Sequence, residues 1–368
     1  MGNVKRFEPH PIIECTMLIR EEFQKREAGF LSPFGFHSAN TRGRRRDERP
    51  CPIRTPFQQD RDRILFSNGF RRMKHKTQVF LAPLGDQYRT RMTHTLEVAQ
   101  ISRTIVRAMR LNEDLAEAIA LAHDMGHTPF GHSGETTLKE IYSPHFTHTR
   151  QSLRVVDVLE KEGEGLNLTY EVRDGILKHS KGYGNIMPES RREKAVTYEG
   201  RVVRIADIMA YLNHDLDDAV RSGIITEKEI PEKCIRVLGK SHSQRLTTMI
   251  HDLIFTSTPK NGELTLDMTD KVFDAMTALR QFLYDHVYRS DQVHSEFEKS
   301  RKILTELYTY FLKDRESLLK EMAKLELGGC SQGGRTAHER CVCDFIAGLT
   351  DRQALELYSR LFFPVPVI

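Results

Sequence analysis

The run His123-Asp124-Met125-Gly126-His127-Thr128-Pro129-Phe130-Gly131-His132-Ser133-Gly134-Glu135 carries three histidines, an aspartate and a glutamate within thirteen residues. A structural turn has little use for so many titratable groups, whereas a hydrolase needs them for acid–base work beside a metal. The segment before it reads as a helix. Asn112 is a suitable N-cap, Glu113 and Asp114 sit where the helix dipole favours acids, and Leu115, Ala118, Ile119 and Ala122 form an apolar face. His123 follows Ile119 by one turn, and Gly126 and Pro129 end the helix. Because the chain turns at His123-Asp124, both side chains can reach one ion.

Two other segments supply partners. Residues 94–110 fit a helix, with Val98, Ile101, Ile105 and Ala108 in its apolar stripe and His94 one turn earlier on that stripe. Residues 198–221 fit a third helix, on which Val203, Asp207, Tyr211 and Asp215 are four apart and share one side. Two carboxylates on a core-facing stripe are costly unless something compensates, and a bound cation would. His94, His123, Asp124 and Asp207 make a mixed nitrogen and oxygen set suited to a first-row divalent ion. The His-Asp dipeptide alone has little weight. His214-Asp215 and His251-Asp252 repeat it, and only its continuation sets His123-Asp124 apart.

The rest of the 368-residue chain is ordinary for a folded protein, with 39% hydrophobic and 29% charged residues. Helical periodicity dominates, so the expected fold is mostly α with at most short β-hairpins. Residues 77–92 read as a short hairpin or loop around Pro83-Leu84-Gly85-Asp86, and residues 263–267, after Asn261-Gly262, as a short strand. Residues 268–325 read as long amphipathic helices. The expected division is an irregular N-terminal arm (1–56), a helical core (57–225) and a helical C-terminal region packed on it (226–368). No apolar run approaches the ~18 residues that span a bilayer, and residues 1–14 show no signal-peptide core. The expectation is a cytoplasmic protein with no membrane contact.

The six cysteines include no C-x-x-C pair. Cys330, His338, Cys341 and Cys343 are too irregularly spaced for a zinc site, so the cysteines read as buried or incidental thiols. A net charge of +4 does not by itself argue for nucleic acid. Arg42, Arg44, Arg45 and Arg46 form one basic run, and Arg71, Arg72, Lys74 and Lys76 another. Such runs attract triphosphates or single-stranded DNA, or else form a solvated basic face.

The stretches Arg91-Met92-Thr93-His94-Thr95-Leu96-Glu97-Val98 and His123 to Glu135 resemble the bacterial dGTPase-like dNTP triphosphohydrolases of the HD superfamily. Further matches are Arg54-Thr55-Pro56-Phe57-Gln58, the run from Phe70-Arg71-Arg72 to Gln78-Val79-Phe80, Gln151-Ser152-Leu153-Arg154, and Ala206-Asp207 leading to Asp215-Leu216-Asp217-Asp218. The likeness runs from residue 31 to residue 358, with the vertebrate SAM-and-HD-domain dNTPase a more distant relative. It implies an HD-domain helical fold and metal-dependent cleavage of deoxynucleoside triphosphates into deoxynucleoside and tripolyphosphate. His94, His123, Asp124 and Asp207 would hold a divalent ion (Mn, Mg, Fe, Ni or Zn). His127, His132 and Glu135 would be the catalytic group, with His148 a further active-site histidine. Arg91 would grip phosphate, Gln78 would reach the nucleoside, Tyr211 would lie against the deoxyribose and Asp215 would take the 3′-hydroxyl. A homo-oligomer is expected on the same ground; a second, allosteric nucleotide stays open. Many relatives carry another acid directly after the metal aspartate, where this chain has Ile208.

His132 is assigned as the leading proton-transfer residue, with Glu135 one turn on orienting its ring. Whether it serves the water or the leaving group is open, and His127 equally suits a phosphate contact. Against these roles stand plainer ones: hydrogen-bonded structural histidines, Tyr211 as core packing, Asp215 paired with Arg221. The rival functions are another HD phosphohydrolase, such as a nucleotidase or guanosine tetraphosphate hydrolase, and a non-catalytic nucleotide or single-stranded DNA binder.

Overall fold

A computed structural model of the chain describes residues 19–78, 89–180, 185–187, 190, 192–328 and 334–364. Helices make almost all of it, as the periodicity requires. At the centre lies the helix Glu113–Ala122. Leu115, Ala116 and every residue from Ala118 to Ala122 are buried, so its apolar surface extends well beyond one stripe. Around it pack Pro56–Leu65, Arg91–Ala108, Tyr170–Lys178 and Tyr198–Arg221. The helix Arg91–Ala108 starts three residues before the apolar stripe does. Thr90 and Thr93 form a reciprocal cap there, a polar feature that periodicity does not report. Ala108, expected in the stripe, is exposed, and Val106 is buried in its stead.

Residues after 225 contribute to two cores. The helix Asp270–Leu283 adds Val272, Ala275, Met276 and Leu279 to the first. Asp291–Lys313, Arg335–Gly348 and Asp351–Phe362 build a second around Leu304, Phe311, Phe345 and Leu357. Phe130, Leu138 and Phe146 belong to that second cluster, so the chain following His127 is seated against the C-terminal helices. Among the described residues the sheet is one antiparallel hairpin, Thr258–Lys260 with Glu263–Thr265, turned by Asn261 and Gly262 at φ 53° and 77°. Its second strand falls within the expected 263–267. Thr77 pairs with Thr90 in an isolated antiparallel bridge, and residues 79–88 of the expected hairpin lie outside the described residues. Ile19–Phe30, inside the stretch read as an irregular arm, is a helix; it buries no residue, so it left no apolar pattern to read. Among the described residues no helix is long and apolar enough to cross a membrane.

The basic runs are partly tied into the fold, although Arg42, Arg45, Arg46, Arg71 and Lys74 are exposed. Arg44 pairs with Asp60 and Glu48, Arg45 with Asp157, and Arg46 donates to the Glu164 carbonyl. Arg42 lies over the Tyr170 ring. Arg72 pairs with Glu160, and Lys76 is buried. Cys234 and Cys343 are buried thiols, Cys341 is disulfide-bonded rather than an incidental thiol, and Cys330 lies outside the described residues.

Glu199, in the first turn of Tyr198–Arg221, accepts from Phe36 N at 2.9 Å and Asn112 N at 2.8 Å while fully buried. Burial pushes its carboxyl up to about 7. The folded-state value lies above the free-acid 4.5, so this group's stabilisation is complete below that pH and is lost as pH rises through about 7. The loss amounts to roughly 3 kcal/mol. Glu199→Gln is expected to flatten the urea midpoint between about pH 5 and pH 8; an unchanged slope would place the titration elsewhere.

Candidate metal centre and active site

Three helices deliver four side chains to one point. His94 comes from the first turn of Arg91–Ala108, His123 and Asp124 from the end of Glu113–Ala122, and Asp207 from the middle of Tyr198–Arg221. His94 Nε2 is 3.2 Å from Asp207 Oδ1 and 3.9 Å from Asp124 Oδ2. His123 Nε2 is 3.6 Å from Asp124 Oδ2 and 3.9 Å from Asp207 Oδ1. Burial opposes ionisation of both carboxyls, but His94 and His123 pull Asp207 down to about 2, and His123 and Arg91 hold Asp124 well below the usual range. Burial depresses His94, which favours its neutral form. Ionised carboxylates and neutral imidazoles are the forms that bind a cation. His123 Nδ1 lies 2.6 Å from the Ala120 carbonyl, which fixes the proton there and leaves Nε2 buried without a hydrogen-bond partner among the described residues. An orphaned lone pair beside two carboxylates fits an ion.

His94 is oriented by a residue the sequence reading passed over. Its Nδ1 lies 2.8 Å from His214 Nε2, and His214 Nδ1 lies 2.8 Å from Asp215 Oδ1. With His94 Nε2 free, its Nδ1–H donates to His214, whose own Nδ1–H faces Asp215. Asp215 Oδ2 accepts from the Tyr288 hydroxyl at 2.6 Å, so its partners are His214 and Tyr288 rather than Arg221, which pairs with Asp218. Tyr288 ends a π-helical turn, Tyr284–Tyr288, that breaks the register of the preceding helix.

The turn after Asp124 is held from several sides. Gly126 N donates to Ser152 Oγ at 2.9 Å, and a Cβ at Gly126 would lie 2.0 Å from Ser152 N, so only glycine fits. Phe130 and Gly131 have φ of 61° and 59°, and their reversal launches the helix His132–Ile141. Asp351 Oδ1 accepts from Phe130 N at 2.9 Å, and its Oδ2 accepts from Thr77 N and Thr77 Oγ1 at 2.9 and 2.6 Å. Buried Lys76 donates to the carbonyls of His127 and Ala347. Neither Asp351 nor Lys76 figured as a site residue in the sequence reading.

Within the turn, Glu135 does not primarily orient His132. Its Oε2 is 2.7 Å from His148 Nδ1 and 4.0 Å from His132 Nδ1. Against the cost of burial, the Glu135 carboxylate raises His148, and His148 in turn holds Glu135 far below the usual carboxylate range. His148 stacks on His127 with ring centroids 4.6 Å apart, and His132 meets the edge of His127 at 5.4 Å. The His132 side chain is 73% exposed and stands at the open side of the group.

One cavity is lined by Gln78, Arg91, His94, Asp124, His127, His132, His148, Asp207, Tyr211 and Asp215, so ten of the twelve expected site residues face a common space. Of the other two, His123 sits behind the ion-binding atoms and Glu135 behind His148. Arg280 and Tyr288 also line the cavity and were missed, since they come from helices that read as plain amphipathic packing. Arg91 is 1% exposed and donates to Asp124 Oδ2 at 2.5 Å and to the Gln78 carbonyl at 3.2 Å.

Residues 91–212 match the HD domain family, and residues 266–360 match the phosphohydrolase-associated domain. Fold and site together define an HD-domain phosphohydrolase that uses a divalent metal. The chain is 58% identical over 352 residues to a deoxyguanosinetriphosphate triphosphohydrolase-like protein of Desulfatibacillum aliphaticivorans, covering 96% of this chain and all of that one. Proteins of the same name match from Caldanaerobacter subterraneus subsp. tengcongensis (47% identity, 95% of this chain, 97% of that one) and Clostridium tetani (42%, 96% and 98%). The chain belongs to the deoxyguanosinetriphosphate triphosphohydrolase-like family. Among solved structures, a phosphohydrolase from Bacteroides thetaiotaomicron aligns at 16% identity over 81% of this chain and 68% of that one, with a TM-score of 0.49.

Proposed function

We propose that the protein hydrolyses deoxynucleoside triphosphates to deoxynucleoside and tripolyphosphate. The observation that carries the reading is Asp207, Tyr211 and Asp215 on successive turns of one helix, all lining the cavity that Arg91 and His132 enter. That spacing suits a ligand with phosphate at the ion-binding end and a sugar hydroxyl at the other. Water attacks the α-phosphorus, the bond from phosphorus to the 5′-oxygen breaks, and that oxygen takes up a proton. A divalent ion held by His94, His123, Asp124 and Asp207 supplies acidification of water and neutralisation of phosphate charge. Arg91 adds positive charge beside Asp124, where the α-phosphate would lie. His132 transfers the proton, while the Glu135–His148 pair fixes the inner wall of the site. Asp215, with its oxygens turned to His214 and Tyr288, accepts from the 3′-hydroxyl.

The testing experiment is turnover of each dNTP with Mn²⁺ or Mg²⁺, the released phosphate being identified by phosphorus NMR. Tripolyphosphate supports the reading; orthophosphate or pyrophosphate alone would show that another bond is cleaved. Half-buried Tyr211 lines the cavity, and against the C2′ edge of the sugar it would leave no room for a 2′-hydroxyl. Tyr211→Ala is accordingly expected to reduce dNTP-over-rNTP discrimination in kcat/KM by roughly 10–100-fold. Unchanged selectivity would reduce Tyr211 to core packing.

A further inference from the structure

His179 ends the helix Tyr170–Lys178 in the same manner as His123 ends Glu113–Ala122. In each case Nδ1 lies against the carbonyl three residues back: 2.7 Å from Ile176 O for His179 and 2.6 Å from Ala120 O for His123. That contact places the proton on Nδ1 and leaves Nε2 with a bare lone pair. Both Nε2 atoms are buried and, among the described residues, have no hydrogen-bond partner, and His179 is 1% exposed. A buried acceptor facing no donor is the exception in folded proteins and calls for a partner.

The His179 lone pair is aimed at the metal centre. Its Nε2 is 3.7 Å from Asp124 Oδ1, and its ring meets that of His123 edge-on at 4.8 Å. The ligating atoms of His123, His179 and Asp207 all lie within 4.8 Å of one another. Donors on one ion stand no further apart than about twice a bond of ~2.0–2.2 Å, and the 3.7 Å between His179 Nε2 and Asp124 Oδ1 falls inside that span. We propose that His179 is a fifth protein ligand of the ion held by His94, His123, Asp124 and Asp207. This rests on those four being the ion-binding set. Three imidazoles and two carboxylates favour an imidazole-binding first-row ion over magnesium, and five protein donors favour a six-coordinate centre with one position left for water or phosphate over a tetrahedral one. Nothing in the sequence pattern singled out His179, which is a lone histidine after Leu177-Lys178.

The test titrates the chelator-stripped full chain with Mn²⁺, counting free Mn²⁺ by electron paramagnetic resonance. X-ray absorption of the loaded protein then counts imidazoles. The wild type is expected to bind one Mn²⁺ with three imidazoles. In His179→Ala, Kd is expected to rise on the order of 100-fold and the imidazole count to fall to two. His179→Gln serves as a second variant that fills the same space should alanine unfold the chain. A Kd within twofold of wild type with an unchanged imidazole count would overturn the assignment, as would two Mn²⁺ per chain with one lost in the variant. His123→Ala is the control: unweakened binding there would sink the four-residue set itself, separately from His179.

Discussion

Asp207→Ala is expected to strip the protein of its metal and to lower turnover by more than ~10³-fold at limiting metal. The size of the effect follows from how the site is assembled. His123 and Asp124 are adjacent in the chain, and His94 is fixed through His214, but Asp207 is the only proposed ligand supplied by Tyr198–Arg221. Its Oδ1 lies near both His94 and His123, at 3.2 and 3.9 Å. Without it, the imidazoles face a single carboxylate that Arg91 already occupies at 2.5 Å. Losing even an outer partner of a metal ligand typically costs 10–100-fold in affinity, and a charged ligand costs more. Metal analysis of the purified variant and phosphorus NMR of its products check this together. Full metal content with normal turnover would remove Asp207 from the set.

The second large effect is expected at His132. Its side chain is the most exposed of the clustered histidines, and the Glu135 oxygen nearest it is already engaged by His148. A ring on the open side, against the edge of His127, is placed to meet a leaving oxygen rather than a water deep in the centre. His132→Ala should lower kcat by ~10²–10⁴-fold, the span of a lost proton donor, with metal content intact. A p-nitrophenyl phosphate ester, whose leaving oxygen needs no proton, should be hydrolysed almost normally by the variant. An equal loss on both substrates would mean that His132 acts on the water or on phosphate binding.

What the sequence disclosed and what it withheld follow a physical division. Side chains on periodic stripes were legible: His94, Asp207, Tyr211 and Asp215 occupy the faces that their spacing assigns, and all four line one cavity. The dense run from His123 to Glu135 announced itself by composition. His214-Asp215 was set aside as a chance dipeptide, yet His214 meets His94 at 2.8 Å, because its importance lies in a neighbour 120 positions away. Asp351 reaches Phe130 across 221 positions from the start of a helix where an acid is unremarkable. The partner of Glu135 was misread for a related reason. The i to i+3 spacing to His132 is visible in the sequence, but the approach of His148 at 2.7 Å depends on how two helices pack.

The Asp351 contact has a consequence in time. A chain still on the ribosome and short of residue 351 already contains every side chain proposed for ion binding and proton transfer. It lacks the carboxylate that holds Phe130 N and Thr77, and with it the anchor between the reversal at Phe130-Gly131 and the segment entering the cavity at Gln78. The proposed site is therefore not anchored until residue 351 has been made, and a fragment that stops short of it lacks the carboxylate that holds Phe130 and Thr77.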